Sequence, residues 1–268
     1  YEAAESSVAE ALERFSFEEV CEVLEQAASQ LAAIPTAGLL GEAPKVGLLG
    51  EIYVRLEPFA TQYLEQRLAD RGIMAKTEHA SKFIYFCDLL QKRNLYHVRT
   101  GFAARQGVRL EGFFKHRFEE RVKRILARSG LYDFAMSGVD EMCRRVEHVI
   151  SPRFSGGETT LTVGAALCDV LEEVAGIVSV GPFGCMPSRV AEALLGARLN
   201  EEKPRVARHP DAVSSILAQH PDIPFFALEC DGSPFPQLIE AKFEAFCMQV
   251  KRVHTAMLGR NKGGLIAE

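Results

Sequence analysis

The chain has 268 residues, 47% of them hydrophobic and 25% charged, with a net charge of −5. That is enough apolar material for one large domain, or a domain with an added subdomain, and the acidic balance argues against a general nucleic-acid binder. No apolar stretch approaches membrane-spanning length, and seven cysteines without an export signal point to a reducing cytoplasm.

The chain opens at Tyr1 without a methionine, so a longer parent protein is expected. Residues 1–40 read as a helical lead-in. Ser16-x-x-Glu19 is a capping box, and Phe17, Val20, Cys21, Leu24, Ala28 and Leu31 follow at helical spacing until Pro35 and Gly38. An α/β regime then runs from 41 to 268. Val46 to Leu49 is a short apolar strand broken at Gly50-Glu51. Pro58 opens a helix to about Arg71, Gly72 caps it, and Ile73 to Lys76 is the next strand. This β-α-β order predicts a parallel sheet with a right-handed crossover.

Residues from about 80 to 155 read as a helical insertion, with Phe83, Cys87 and Leu90 on one helix and Phe114, Phe118, Val122 and Ile125 on another. Thr100 to Gly107 is the loop between them. The basic face of Lys115, Arg117, Arg121, Lys123, Arg124 and Arg128 is expected to be solvated and paired at i, i+4 with interleaved Glu119 and Glu120. The α/β pattern returns at Gly156-Gly157-Glu158. A helix carries Val163, Leu167, Leu171 and Val174, and Ile177 to Val180 is the third strand. A helix from Pro187 and Ser188 to about Leu199 follows, then a strand from Ile223 to Leu228. The last helix has Ile239, Phe243, Phe246, Val250 and Val253 on one stripe. The fold class expected is α/β, a three-layer parallel-sheet (flavodoxin/Rossmann-like) domain.

Three loops of unusual composition stand at strand carboxyl ends, where open α/β sheets bind their ligands. They supply the candidate crevice residues Gly50, Glu51, Tyr53 and Arg55; Gly181, Phe183 and Gly184; and Asp231 with Gly232. Arg55 has two readings, contact with an anionic group or a surface ion pair, and Asp231 reads first as a turn former. No GxGxxG opens a helix and no GxxxxGK(S/T) occurs, so ATP hydrolysis by this chain is not expected. Cys21, Cys87, Cys143, Cys168 and Cys247 fall on apolar stripes and read as core. Cys185, between a strand end and a helix start, reads as a nucleophile or a metal ligand, with Cys230 the second metal candidate. A nucleophile needs a histidine base, and His79 is nearest in kind. A cluster needs more thiolates than Cys185 and Cys230 supply.

The segments GLLGEIYVR (47–55), GGETTLTVG (156–164), GIVSVGPFGCMPSRV (176–190) and ECDGSPFPQLIEAKFEAFC (229–247) resemble the acyl-CoA dehydratase activase-related proteins. These look like relatives of 2-hydroxyacyl-CoA dehydratase and benzoyl-CoA reductase subunits, and the resemblance covers residues 44–258. It implies the second of two lobes that hold an iron–sulfur cluster, 4Fe-4S in type, with Cys185 matching the one ligand from the second lobe. It also implies low-potential electron transfer coupled to ATP hydrolysis in an activase, for dehydration or reduction of an acyl-CoA. The expected partners are the first lobe, an ATP-dependent activase domain or protein, an acyl-CoA and a second copy in a homodimer. The alternatives left open are a non-catalytic interaction module of a large activase and a thiol enzyme using Cys185.

Overall fold

The computed structural model describes residues 2–14, 16–36, 42–95, 101–154 and 157–264. It divides into two compact units, one of residues 1–41 and 98–137, the other of residues 42–97 and 138–268. The lead-in therefore shares its unit with part of the helical insertion.

The smaller unit holds α1 (Glu2–Glu13), α2 (Phe17–Ala32) and, after a segment of the other unit, a long helix, Phe102–Ala127. Ser16 Oγ accepts from Glu19 N at 3.3 Å, one half of the expected capping box. Cys21, Ala28 and Ile125 are its buried core, with Phe17 and Leu24 packed alongside. The expected loop up to Gly107 is instead helical from Phe102; Thr100 lies outside the described residues. Ala103, Ala104, Arg105 and Gln106 are good helix formers, and their propensity outweighs the glycine. The basic face is paired as expected: Lys115 with Glu111, Lys123 with Glu119 and Arg124 with Glu120 at i, i+4. Arg121 and Arg128 reach across to Glu18 and Glu25 of α2. Lys123 departs from a solvated face, because it is buried against the Ala135 carbonyl.

The larger unit is a four-stranded parallel sheet. In chain order it comprises β1 (Lys45–Gly50), α3 (Ile52–Leu56), α4 (Leu64–Ala69), β2 (Met74–Thr77) and α5 (Ser81–Lys92). The long helix of the smaller unit is α6. There follow α7 (Val139–Val146), α8 (Thr159–Asp169), β3 (Gly176–Pro182), α9 (Met186–Val206), α10 (Pro210–Gln219), β4 (Phe225–Cys230) and α11 (Gln237–Gly264). The sheet order is β2-β1-β3-β4, all parallel, and helices on both faces make it a three-layer α/β domain. Val46, Leu48, Ile177, Val178 and Val180 are completely buried, the unbroken apolar burial of a strand covered on both sides.

Right-handed crossovers put α8 and α9 on one face and α4 and α11 on the other. Arg67 and Arg71 of α4 pair with Glu240 and Glu244 of α11, and both guanidiniums lie over the Phe243 ring. Several boundaries differ from the sequence reading; α9 runs on to Val206, past the expected end near Leu199, with Glu202, Lys203 and Val206 buried in its last turns. The helix expected from Pro58 is broken, because Gln62 and Tyr63 take left-handed backbone conformations and Gln62 instead ties this turn to Ser233 and Phe235. α8 stops at Asp169, where Lys203 caps the carbonyls of Leu167 and Cys168. β4 runs from Phe225 to Cys230, two residues later than expected, with Ile223 N held by Asn200 Oδ1 at 2.9 Å just before it.

Candidate functional site

The order in which strands are added reverses between β1 and β3, so the crevice of this sheet lies at their carboxyl ends. The structure gathers the three expected loops there. Glu51 N donates to Val180 O at 3.0 Å, joining the loop after β1 to β3. Phe183 N donates to Cys230 O at 3.1 Å, joining the loop after β3 to the end of β4. Gln62 joins the turn after α3 to the loop after β4.

Two glycines allow this closeness. Gly50 has φ +111°, and a Cβ there would land on the Val180 carbonyl. A Cβ on Gly181 would collide with Ser188 Oγ in the first turn of α9, so the helix start sits directly on the strand end.

Cys185 occupies the N-cap position of α9. It is half-buried, and no side chain caps the leading N–H groups of the helix. Those donors face the crevice with the partial positive charge of a helix start. The loop is fixed by Glu229, whose Oε1 accepts from Gly184 N at 3.2 Å and pairs with Arg189 Nε at 3.2 Å. Sequence reading missed Glu229; its position next to Cys230 on an inward-reading strand was the available signal. Cys230 is buried, and burial pushes its thiol up to about 11, which opposes the thiolate that a metal needs. Asp231 Oδ1 accepts from Ser233 N at 2.8 Å, the turn-forming role that ranked first.

Arg55 is not in a surface ion pair. It is 7% exposed, its Nε donates to Glu78 O at 3.1 Å, and its other end donates to Gly50 O. Burial removed the solvated ion pair, and the guanidinium instead clasps the ends of β1 and β2. Glu51 caps α3, with Oε2 accepting from Val54 N at 2.7 Å. Tyr53 is 69% exposed and Phe183 74%, and Leu56, Phe59, Tyr63 and Met186 are exposed at the same edge. A run of large apolar side chains in water around a loop marks a surface that something covers.

Glu158, at the start of α8, is the other residue missed. Its Oε2 is buried without a hydrogen-bond partner among the described residues. It borders a cavity of about 10 Å³, with Arg55, Glu78, His79 and Lys82, that is sized for one water. Burial, opposed by Arg55 and assisted by Glu51, raises its carboxyl from the ordinary 4.5 to about 7. The folded state then binds more protons than the unfolded chain between these values, so the contribution of this group to stability falls as pH rises through that window. Glu158→Gln is expected to stabilise the protein by about 1–2 kcal/mol above pH 7, allowing for solvent screening, and to change little near pH 4. Urea unfolding across pH checks this; an unchanged pH slope in the variant rules it out.

Among the described residues, no three His, Cys, Asp or Glu side chains are placed to hold a metal ion. No histidine among them bonds to Cys185, and no helix is long and apolar enough to cross a membrane. No protein-family model, curated protein or solved structure matches this chain.

Proposed function

We propose that this α/β unit is the second lobe of a 2-hydroxyacyl-CoA dehydratase-like iron–sulfur protein, and that Cys185 is the single ligand it contributes to a shared cluster. The observation that carries the reading is the setting of Cys185: half-buried, at an uncapped helix start on the switch point, inside an exposed apolar rim. In this reading the remaining ligands come from the first lobe, because a cluster needs more than one thiolate.

In this reading each residue has a separate task. Cys185 would bind through its sulfur, beside the leading N–H groups of α9 that favour a negatively charged group there. Glu229 and Arg189 hold the loop so that the sulfur keeps its position. Tyr53, Phe59, Phe183 and Met186 exclude water once the first lobe is seated on them. The cluster, when bound, supplies low-potential electron transfer toward an acyl-CoA, with ATP hydrolysis assigned to an activase.

Anaerobic preparation of the protein with its first lobe tests the proposal. Brown protein with iron and acid-labile sulfide is expected, with at least a tenfold loss of both in Cys185→Ser. Full retention of iron by the variant removes Cys185 from the ligand set. Iron-free protein in both forms leaves the apolar rim as a docking surface and favours the interaction-module reading.

A further inference from the structure

The two edges of the sheet are built differently. β2, at one edge, is four residues long and carries Lys76, which pairs with Glu173. Short length and an edge lysine are standard guards against unwanted strand pairing. β4, at the other edge, is six residues long and reads Phe-Phe-Ala-Leu-Glu-Cys, with no lysine, proline or glycine inside it. That edge lacks the lysine guard of β2 and is instead flanked by α9 and α11.

Its main-chain groups can be assigned. Pro224 O accepts from Ile177 N and Cys230 O from Phe183 N, so the even-numbered residues of β4 face β3. The N–H and C=O groups of Phe225, Ala227 and Glu229 therefore point away from the sheet. Beside them runs an open groove of about 770 Å³ between α9 and α11. Its α9 wall includes Ala193 and Gly196 and its α11 wall includes Ala245, small side chains that let another backbone approach. Lys242 stands at the rim, exposed and without an ion-pair partner among the described residues. The one acid on the rim, Glu192, is already paired with Arg189.

We propose that the β4 edge is a docking slot for an extended segment of another polypeptide, which joins the sheet as a fifth strand and places an acidic side chain opposite Lys242. Backbone pairing to Phe225, Ala227 and Glu229 supplies the affinity, and the Lys242 charge supplies the choice of sequence. A second copy of the chain does not fit the slot edge to edge. Paired strands lie roughly 4.8 Å apart, whereas packed helices need about 8–10 Å, and α9 and α11 already wall the edge. A bare strand meets no such obstacle. The slot shares Arg189 and Glu229 with the support of the Cys185 loop, but its test does not depend on any cluster.

The test uses synthetic alternating hexapeptides of valine and alanine, each with one glutamate, against the same set with lysine. Nuclear magnetic resonance is read at the amides of Phe225, Ala227 and Glu229. The glutamate peptides are expected to shift these three amides and to protect them from hydrogen exchange. Ala227→Pro removes only an outward N–H and an edge strand tolerates it, so it should weaken binding at least tenfold without moving the melting temperature appreciably. Lys242→Glu should reverse the preference to the lysine peptides, and it serves as the second variant should Ala227→Pro unfold the chain. Binding elsewhere, no binding, or no charge preference overturns the proposal. So does an Ala227 amide already protected in a dimer, which would assign the edge to self-pairing.

Discussion

Gly50→Ala should leave the larger unit unfolded or destabilised by about 3 kcal/mol or more, the largest effect expected of a single added methyl group among the described glycines. Two costs combine. The residue has φ +111°, which side-chain-bearing residues rarely adopt, and the added carbon would meet the Val180 carbonyl, carbon and amide together. A carbonyl in the middle of a parallel ladder cannot move aside, because it accepts from Glu51 N. Gly184→Ala is the control. Its φ is +70°, nothing lies within 4 Å of the new carbon, and the expected cost is about 1 kcal/mol. Urea unfolding of both variants separates the terms. Equal midpoints would show that the β1–β3 junction yields, and that the crevice is not held by this close approach.

Lys203→Met should cost about 3–5 kcal/mol, although Lys203 lies far from the loops that define the crevice. Its side chain is fully buried, and Nζ donates to the carbonyls of Leu167 and Cys168 and to Glu172 Oε2, at 2.9, 3.1 and 2.7 Å. Burial alone would raise the Glu172 carboxyl, but Lys203, the Arg208 N–H and Arg145 outweigh it and hold the group below the usual carboxylate range. Removing the ammonium leaves a buried carboxylate and two α8 carbonyls without their donor. The double variant Lys203→Met, Glu172→Gln should recover part of the loss. Additive losses in urea unfolding would show that the two side chains do not act as a pair.

Three strands were legible because each is a short apolar run with glycine or proline at its edge, and β2 because Gly72 starts it after a helix; four strands alternating with helical spacing leave few arrangements other than a parallel sheet. The convergence of the loops near Gly50, Cys185 and Asp231 followed from that topology. What the sequence could not reveal depends on partners distant in the chain. Gln62 breaks a helix because Ser233 and Phe235 await it, and no local signal near Pro58 encodes that. Glu158 and Glu229 read as ordinary charges until folding buries one and aims the other at Gly184. Arg55 likewise changed meaning with burial, from an apparent solvent-facing cation to a clasp on two carbonyls.

The pairing of β1 imposes an order on biosynthesis. Lys45 meets Met74 soon after both emerge from the ribosome, whereas Val46 must wait for Gly176. During that interval, residues 98–137 are made and join the other unit. The nascent chain thus carries an oily half-sheet with one bare flank while residues 78–175 are made, a period in which chaperone protection would matter most.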